Sequence, residues 1–410
     1  MPLSTAAALP VQRVLIVGAG QAGAEAAFAL RQQGYAGSLT LISDEPWLPY
    51  RRPPLSKGFL ADHASPDSLA LKPAAAYAKA GIELLLGVGV AAIDRSAAEL
   101  VLADHRRLSY DRLILATGGR ARRLELPGID AGNVFTLRGI DDALALRGRF
   151  SAGQSLVVIG GGYIGLEVAA LARQSGLAVT VVEAAPRLLA RVASPLLSEF
   201  YREVHAAAGV ELRVDAQVTG LEQSDGRVSA VRCGDTGIAA DLVLIGVGLQ
   251  PNTALAARAG LAVGTGIRTD HAHRSSDPAI FAIGDCAEFE HDWLGQMLRL
   301  ESVPNAMEQG RRVARALLGQ PLEPMSPPWF WSDQYDLKLQ SVGISAGFDR
   351  CVLRGEPAER SFLAFYFRDG RLIAADAVNR MAEFNRAKAL VAARATIEPE
   401  VLADPGQPLP

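Results

Sequence analysis

Three glycines near the start of the sequence have the spacing of a turn that binds phosphate: Gly18, Gly20 and Gly23. Such a turn needs glycine, because a side chain would keep a pyrophosphate away from the backbone N–H groups at the start of the next helix. Asp44 follows Gly23 by about 20 residues, a spacing that lets a carboxylate accept a hydrogen bond from an adenosine ribose. The alternative is a tight turn without a ligand, but the four residues together favour a dinucleotide site.

The same pattern occurs a second time in Gly160, Gly162 and Gly165, which are followed by Glu183. Two independent patterns predict two bound dinucleotides. Glu183 would oppose the 2′-phosphate of NADPH, because bringing like charges together costs on the order of several kcal/mol. The second pattern therefore predicts a preference for NADH.

Each glycine pattern lies between a predicted strand and a predicted helix. Apolar runs at residues 13–17 and 155–159 come directly before the glycines, and stretches of helix-forming composition follow them. A second apolar run then follows in each unit, and Asp44 lies just past its end in the first unit and Glu183 at its end in the second. Strand–helix–strand units of this kind are typical of nucleotide-binding folds.

After about residue 325 the pattern changes to prolines, an aromatic cluster and two alternating segments that predict a hairpin. The predicted fold class is α/β, with two Rossmann-like dinucleotide-binding domains and a C-terminal α+β domain. A protein that holds two dinucleotides usually passes electrons between them, and FAD with NADH is the natural pair. We predict a discontinuous FAD-binding domain at 1–116 and 250–324, an NADH-binding domain at 117–249, and an interface domain at 325–410.

The composition excludes several other classes of protein. The 410 residues include 41 Lys and Arg against 44 Asp and Glu, a net charge of −3, so no global positive field exists to hold a nucleic acid. No run reaches the ~18 apolar residues of a membrane span. Residues 1–12 contain no Lys or Arg, whereas a secretion signal begins with positive charge.

The cysteines and histidines also limit the chemistry. Cys233, Cys286 and Cys351 are far apart in the sequence, so they form neither a disulfide framework nor a CxxC pair. This scarcity predicts a reducing cytoplasm and disfavours an enzyme that reduces disulfides or peroxides. His271 and His273 lack the companions of a metal site, so no metal is predicted.

Lys57 follows a proline-rich segment, residues 49–56, that stiffens the backbone. An ammonium near the N5 and O4 atoms of a flavin would stabilise the anionic reduced ring, and Glu167 could hold the lysine in place. The alternative is an ordinary surface lysine. Asp285 follows a short apolar run, where its carboxylate can accept a hydrogen bond from a ribityl hydroxyl.

These motifs together resemble the FAD- and NADH-dependent ferredoxin reductases that serve oxygenases, within the glutathione-reductase-like flavoprotein class. The resemblance extends over nearly the whole chain, and the last of its motifs is the most specific. The motifs are residues 52–57, 160–168, 284–287 and 329–335.

The resemblance implies roles for individual residues. Lys57 and Glu167 would be the catalytic pair, and Trp331 would lie near the flavin and the docking face. The residues implied around FAD are Ala22, Asp44, Lys57, Val90, Arg138, Asp285 and Val303, beside the first glycine pattern. The residues implied around NADH are Gly162, Ile164, Glu167, Glu183 and Arg187.

The resemblance also implies a reaction and a partner. A hydride would pass from NADH to flavin N5, and single electrons would then go to a [2Fe–2S] ferredoxin that feeds a haem-thiolate monooxygenase. The alternatives are the reductase component of a Rieske-type aromatic-ring dioxygenase and an NADH-responsive interaction flavoprotein. We expect a monomer or weak dimer with no nucleic acid or membrane partner.

Overall fold

The computed structural model describes residues 11–61 and 64–410. Most of the segment in which we predict no secretion signal, residues 1–12, therefore lies outside the described residues. The described chain divides into two compact units. The first contains 11–51, 69–119 and 251–326, and the second contains the described residues of 52–68 together with 120–250 and 327–410. No described helix is both long and apolar enough to cross a membrane.

The first unit is built on a five-stranded parallel sheet. Its strands are, in spatial order, Ile280–Ala282, Arg112–Leu115, Arg13–Val17, Ser38–Ile42 and Glu83–Leu85. Both faces of the central strand are covered, because Val14 and Ile16 belong to one buried cluster and Leu15 and Val17 to another. This alternation is expected of a parallel strand that is buried on both sides.

Helices and two small sheets complete the first unit. The helices are Gln21–Gln32, Ala74–Lys79, Ala254–Arg258 and Val303–Leu317. One small sheet is antiparallel and contains Val90–Asp94, Glu99–Leu102 and Arg107–Ser109; the other contains Ile267–Thr269, Ala287–His291 and Gln296–Leu298.

The second unit also contains a five-stranded parallel sheet. Its strands are, in spatial order, Glu211–Arg213, Ala178–Val182, Ser155–Ile159, Leu242–Ile245 and Val134–Thr136. The helices that accompany it are Gly58–Ala61, Ile140–Leu146, Tyr163–Gln174 and Pro195–Ala207. An antiparallel sheet follows with Gly220–Ser224, Arg227–Cys233 and Thr236–Ala239.

The C-terminal part of the second unit is a five-stranded antiparallel sheet with helices Met381–Ala392 and Pro399–Ala403. Its strands are, in spatial order, Trp329–Gln334, Leu337–Gly343, Arg371–Val378, Ser361–Arg368 and Arg350–Glu356. The predicted hairpin is confirmed, and its two-residue turn has positive φ at both Asp369 and Gly370, as tight hairpins require.

The predicted fold class, two Rossmann-like halves followed by an α+β segment, is confirmed. The boundaries of the three predicted domains stay a prediction. Contacts divide the chain into two units and group residues 327–410 with residues 120–250. The remaining short elements are strands Gly119–Ala121 and Leu249–Pro251 and the 3₁₀ turns Pro53–Ser56, Pro66–Leu69, Gly284–Cys286 and Pro357–Glu359.

Candidate functional site

The first glycine pattern connects strand Arg13–Val17 to helix Gln21–Gln32 in the first unit. Gly18 has a φ of +110°, and a Cβ there would lie 2.1 Å from the carbonyl oxygen of Ala116. A Cβ at Gly23 would lie 2.0 Å from the carbonyl oxygen of Gly18. At Gly20, by contrast, no described atom lies within 4 Å of the Cβ position. The first and third glycines are therefore needed for packing, and the second faces open space.

The second glycine pattern has the same geometry in the second unit. Gly160 has a φ of +107°, and its Cβ would lie 2.5 Å from the carbonyl oxygen of Gly246. A Cβ at Gly165 would lie 2.3 Å from the carbonyl oxygen of Gly160, while the space at Gly162 is open among the described atoms. The middle glycine of each pattern is thus the position at which a phosphate can approach the backbone.

Both glycine patterns lead into helices of 12 residues whose N-caps are Gly20 and Gly162. In the described part of the chain, no side chain caps either helix start. The first N–H groups of a helix need acceptors, and the helix dipole favours a negative one. Both helix starts therefore fit a pyrophosphate, and the residues present fit two dinucleotides.

Each of the two predicted acidic residues follows the strand that comes after a glycine pattern and its helix. Asp44 is exposed two residues after strand Ser38–Ile42. Glu183 directly follows strand Ala178–Val182, and its Oε2 and Oε1 accept hydrogen bonds from the N–H groups of Gly161 and Ala185, each at 2.7 Å. These bonds hold the Glu183 carboxylate against the second glycine pattern.

The structure brings other predicted FAD residues of the first unit to the same edge of its sheet. Asp285 follows strand Ile280–Ala282, and a Cβ at Gly284 would lie 3.0 Å from the Cβ of Ala22. Val303 begins helix Val303–Leu317. Val90 begins a strand beside Asp44, since a Cβ at Gly89 would lie 3.8 Å from the Cβ of Asp44.

Sequence reasoning missed Gln309, which fixes the turn before Asp285. Its Oε1 accepts a hydrogen bond of 2.6 Å from the N–H of Gly284, and its Nε2 donates to Asn305 Oδ1 at 3.1 Å. Gln309 is buried. The available signal was the i, i+4 pair of amides, Asn305 and Gln309, among small and apolar residues of one helix, because buried polar groups require partners.

The predicted catalytic pair forms an ion pair inside the second unit. Lys57 Nζ lies 2.8 Å from Glu167 Oε2. The same carboxylate accepts hydrogen bonds from Ser56 Oγ at 2.5 Å and from Ser332 Oγ at 2.6 Å. Because Glu167 is buried, its charge needs these partners. The sequence did not identify either serine.

Three more predicted residues lie in the second unit. The Arg187 guanidinium donates to the carbonyl oxygens of Ala190 and Ala193 and to Ser198 Oγ. These bonds stabilise the loop that contains Arg187. Ile164 is 45% exposed. The backbone N–H of Arg138 donates to Asp142 Oδ2 at 2.8 Å. The first unit does not contain Arg138 or Lys57, and their assignment to FAD stays a prediction.

Trp331 is half-buried beside Trp329, with 5.7 Å between the ring centroids. Lys388 Nζ lies 4.5 Å from the centre of the Trp329 ring. The strand therefore presents an aromatic pair on the face opposite Ser332, since side chains alternate along a strand. The role of Trp331 stays a prediction.

The cysteines, all within the described residues, are free thiols. Burial raises the pKa of Cys351 to about 11, and burial also raises the pKa values of Cys286 and Cys233. The reactive thiolate is therefore disfavoured at neutral pH at each position. Among the described residues, no group of three or more His, Cys, Asp or Glu side chains is placed to hold a metal ion.

Comparison with known proteins gives two family matches. Residues 12–310 match the pyridine nucleotide-disulphide oxidoreductase model, and residues 329–410 match the model of a reductase C-terminal domain. The putidaredoxin reductase CamA of Pseudomonas putida is 46% identical over 97% of this chain and 95% of that protein.

Two solved structures are similar over almost the whole chain. The covalent putidaredoxin reductase–putidaredoxin complex matches with a TM-score of 0.94 at 46% identity, covering 97% of each chain. The ferredoxin reductase for the CYP199A2 system from Rhodopseudomonas palustris matches with a TM-score of 0.93 at 44% identity, covering 95% of this chain and 97% of that one. These matches confirm the resemblance to ferredoxin reductases. The chain belongs to the pyridine nucleotide-disulphide oxidoreductase family and carries its reductase C-terminal domain.

Proposed function

We propose that this chain is an FAD-dependent NADH:ferredoxin oxidoreductase. The observation that supports this most directly is the repeated site: each unit contains a glycine pattern whose middle residue faces open space at an uncapped helix start. The similarity to ferredoxin reductases over almost the whole chain agrees with this function. The cofactors are FAD, held tightly, and NADH, which exchanges.

The first unit would hold FAD. Bound FAD supplies a group that takes up a hydride from NADH and releases electrons one at a time. The helix start after Gly20 binds the pyrophosphate, Asp44 accepts from the adenosine ribose, and Asp285 accepts from the ribityl chain. Gln309 keeps the turn at Gly284 in place through its hydrogen bond to the backbone.

The second unit would hold NADH at the helix start after Gly162. Glu183 accepts from the adenosine ribose, and each of its oxygens has a lone pair beyond the one used by Gly161 or Ala185. Lys57 supplies positive charge for reduction of the flavin, and Glu167 orients the lysine through their ion pair.

Replacing Glu183 by glutamine tests the choice of coenzyme. The variant keeps the size of the side chain and removes its charge, so the repulsion of the NADPH 2′-phosphate is lost. We expect the preference for NADH over NADPH, measured as the ratio of kcat/KM values, to fall about tenfold, equivalent to ~1.4 kcal/mol. Glu222→Gln in the same unit, which removes an exposed carboxylate paired with Arg232, should leave the ratio unchanged. A Glu183→Gln variant with the wild-type ratio would contradict the role of Glu183.

The partner is a ferredoxin. We propose that it is of the [2Fe–2S] type, that it feeds a haem-thiolate monooxygenase, and that residues 325–410 with the edge of the FAD domain form the docking face. A Rieske-type dioxygenase is the alternative acceptor. A monomer or weak dimer in the cytoplasm is part of the same proposal. The three free cysteines agree with a reducing compartment.

The function is tested with the purified holoenzyme, NADH, a panel of [2Fe–2S] ferredoxins and cytochrome c as the final acceptor. We expect reduction of cytochrome c that requires ferredoxin and saturates with it, with a turnover of roughly 1–10³ per second. Pairing the best ferredoxin with each oxygenase class then decides between monooxygenase and dioxygenase. Slow turnover with every ferredoxin, together with a long-lived reduced flavoprotein, would instead indicate an interaction flavoprotein.

A further inference from the structure

A row of buried polar side chains extends away from Glu167 within the second unit. It runs through Ser332 and Gln334 on strand Trp329–Gln334 to His205 on helix Pro195–Ala207, and it ends at Tyr335. Ser332 and His205 are each 0% exposed and Gln334 is 1% exposed. Polar groups so completely buried require hydrogen-bond partners, and here each one's partner is the next member of the row.

Strand Trp329–Gln334 packs well against helix Tyr163–Gln174, which carries Glu167. The side chains on one face of the strand and on one face of the helix recur at nearly the same distance. Two residues along a strand advance about 6.6 Å, and four residues along a helix advance about 6 Å. Phe330 packs on Tyr163 with 4.6 Å between ring centroids, and Ser332 Oγ lies 2.6 Å from Glu167 Oε1. Two successive inward positions of the strand thus contact two positions on one face of the helix.

The hydrogen bonds continue outward from Ser332 at ordinary distances. Gln334 Nε2 lies 3.3 Å from Ser332 Oγ, and His205 Nε2 lies 2.8 Å from Gln334 Oε1. The Tyr335 hydroxyl lies 3.3 Å from His205 Nδ1. The row therefore connects a strand of the C-terminal sheet and a helix of the NADH-binding half to one carboxylate.

The charge of Glu167 fixes the direction of every bond in this row. An ionised carboxylate only accepts, so the single Ser332 hydroxyl proton points to Glu167. Ser332 Oγ must then accept from the Gln334 amide, which leaves Gln334 Oε1 to accept from the His205 Nε2–H. His205 Nδ1 is consequently the acceptor for Tyr335. All four donors point towards Glu167.

This arrangement requires a neutral His205 whose proton is on Nε2. Burial lowers the pKa of His205 from its ordinary value, and the hydrogen bond to Gln334 offsets only part of that effect. The imidazole is therefore neutral at neutral pH, in agreement with the bond directions derived from Glu167. Hydrogen bonds aligned in one direction polarise one another, which strengthens the last bond to the carboxylate.

We propose that Ser332, Gln334 and His205 are positioning residues for the Lys57–Glu167 pair, an inference that rests on the proposed function of that pair. Ser332 holds Oε1, while Ser56 and Lys57 hold Oε2. Because both oxygens are held, the Glu167 carboxylate cannot rotate. The ion pair then holds the Lys57 ammonium in one position. Gln334 and His205 act through Ser332, because they keep its proton on the carboxylate.

The test compares Ser332→Ala, Ser332→Thr and Gln334→Glu with the wild-type holoenzyme in stopped-flow reduction of the flavin by NADH. We expect Ser332→Ala to lower the limiting rate about tenfold, with the Kd of NADH within about twofold, and Ser332→Thr to restore the rate to within about twofold. Gln334→Glu is isosteric, and its ionised carboxylate does not donate to Ser332, whereas its protonated form does. We therefore expect it to lower the rate as Ser332→Ala does at a pH where the introduced carboxyl is ionised, and the loss should shrink as the pH falls.

Asp333→Asn on the opposite face of the same strand is the control and should have the wild-type limiting rate. A wild-type rate in Ser332→Ala would overturn the inference, as would equal losses in Ser332→Ala and Ser332→Thr, which indicate packing alone. If Ser332→Ala does not fold, Gln334→Glu decides by the same measurement. A wild-type holoenzyme that NADH does not reduce would contradict the proposed function instead.

Discussion

Replacing Lys57 by methionine is expected to slow the reduction of the flavin by NADH about 10²-fold, the usual cost of removing one preorganised electrostatic group from a reaction centre. Methionine keeps most of the length of the side chain and removes its charge. In the proposed mechanism Lys57 acts on the developing charge and not on NADH binding, so we expect the loss in the limiting rate, with the Kd of NADH nearly unchanged. Stopped-flow absorbance of the flavin measures both quantities.

The structure explains why this variant should still fold. Glu167 loses its ion pair with Lys57 but keeps hydrogen bonds from Ser56 and Ser332. Its buried carboxylate therefore still has two hydrogen-bond donors. Lys79→Met, at an exposed position on a short helix of the first unit, is the matched control and should have the wild-type rate. An unchanged limiting rate in Lys57→Met, with FAD fully bound, would contradict the role of Lys57.

The glycine patterns were predictable from the sequence because the constraint on them is local and steric. A turn that leaves a strand and enters a helix within a few residues forces Gly18 and Gly160 to positive φ. A Cβ at the third glycine of each pattern would collide with the carbonyl oxygen of the first. Strand, turn and helix are all encoded within about 30 residues, so the sequence alone predicts two such units.

The surroundings of Glu167 were not predictable in the same way. Ser56 is 111 residues away in the sequence and Ser332 is 165 residues away, so only the folded chain brings them together. Local periodicity identifies a strand but does not say which helix it covers. The available signal was Ser332 and Gln334 at alternate positions beside aromatic residues, because inward polar groups on a strand need buried partners.

Arg187 and Glu183 show that the sequence does not give the direction of a long side chain, and the assignment of both to NADH stays a prediction. Spacing after the second glycine pattern and the resemblance both assigned Glu183 to NADH, whereas the resemblance alone assigned Arg187. In the structure the Arg187 guanidinium bonds to its own loop, and the Glu183 carboxylate bonds to backbone N–H groups beside the second glycine pattern. The direction of a long side chain depends on which acceptors the folded loop presents, and the sequence does not contain that information in a local form.

Replacing the middle glycine of each pattern, Gly20 or Gly162, by valine should impair the binding of a different dinucleotide in each case. The backbone at Gly20 and Gly162 is extended, with φ of −78° and −83°, a conformation that valine readily adopts. No described atom lies within 4 Å of either Cβ position, so the chain itself tolerates the side chain. Valine instead fills the space for a pyrophosphate. It thereby removes the charge-assisted hydrogen bonds from the backbone N–H groups to the phosphates, and each of these bonds is worth ~1.5–3 kcal/mol.

We therefore expect Gly20→Val to be folded but to bind FAD at least ~10²-fold more weakly, so that it is purified largely without flavin absorbance. Gly162→Val should retain FAD and be reduced normally by dithionite, while the Kd of NADH rises by a similar factor. Gly132→Val, at a third position with open space around the Cβ, should change neither property. Loss of FAD from Gly162→Val, or full FAD with impaired NADH binding in Gly20→Val, would mean that the two glycine patterns had been assigned to the wrong dinucleotides.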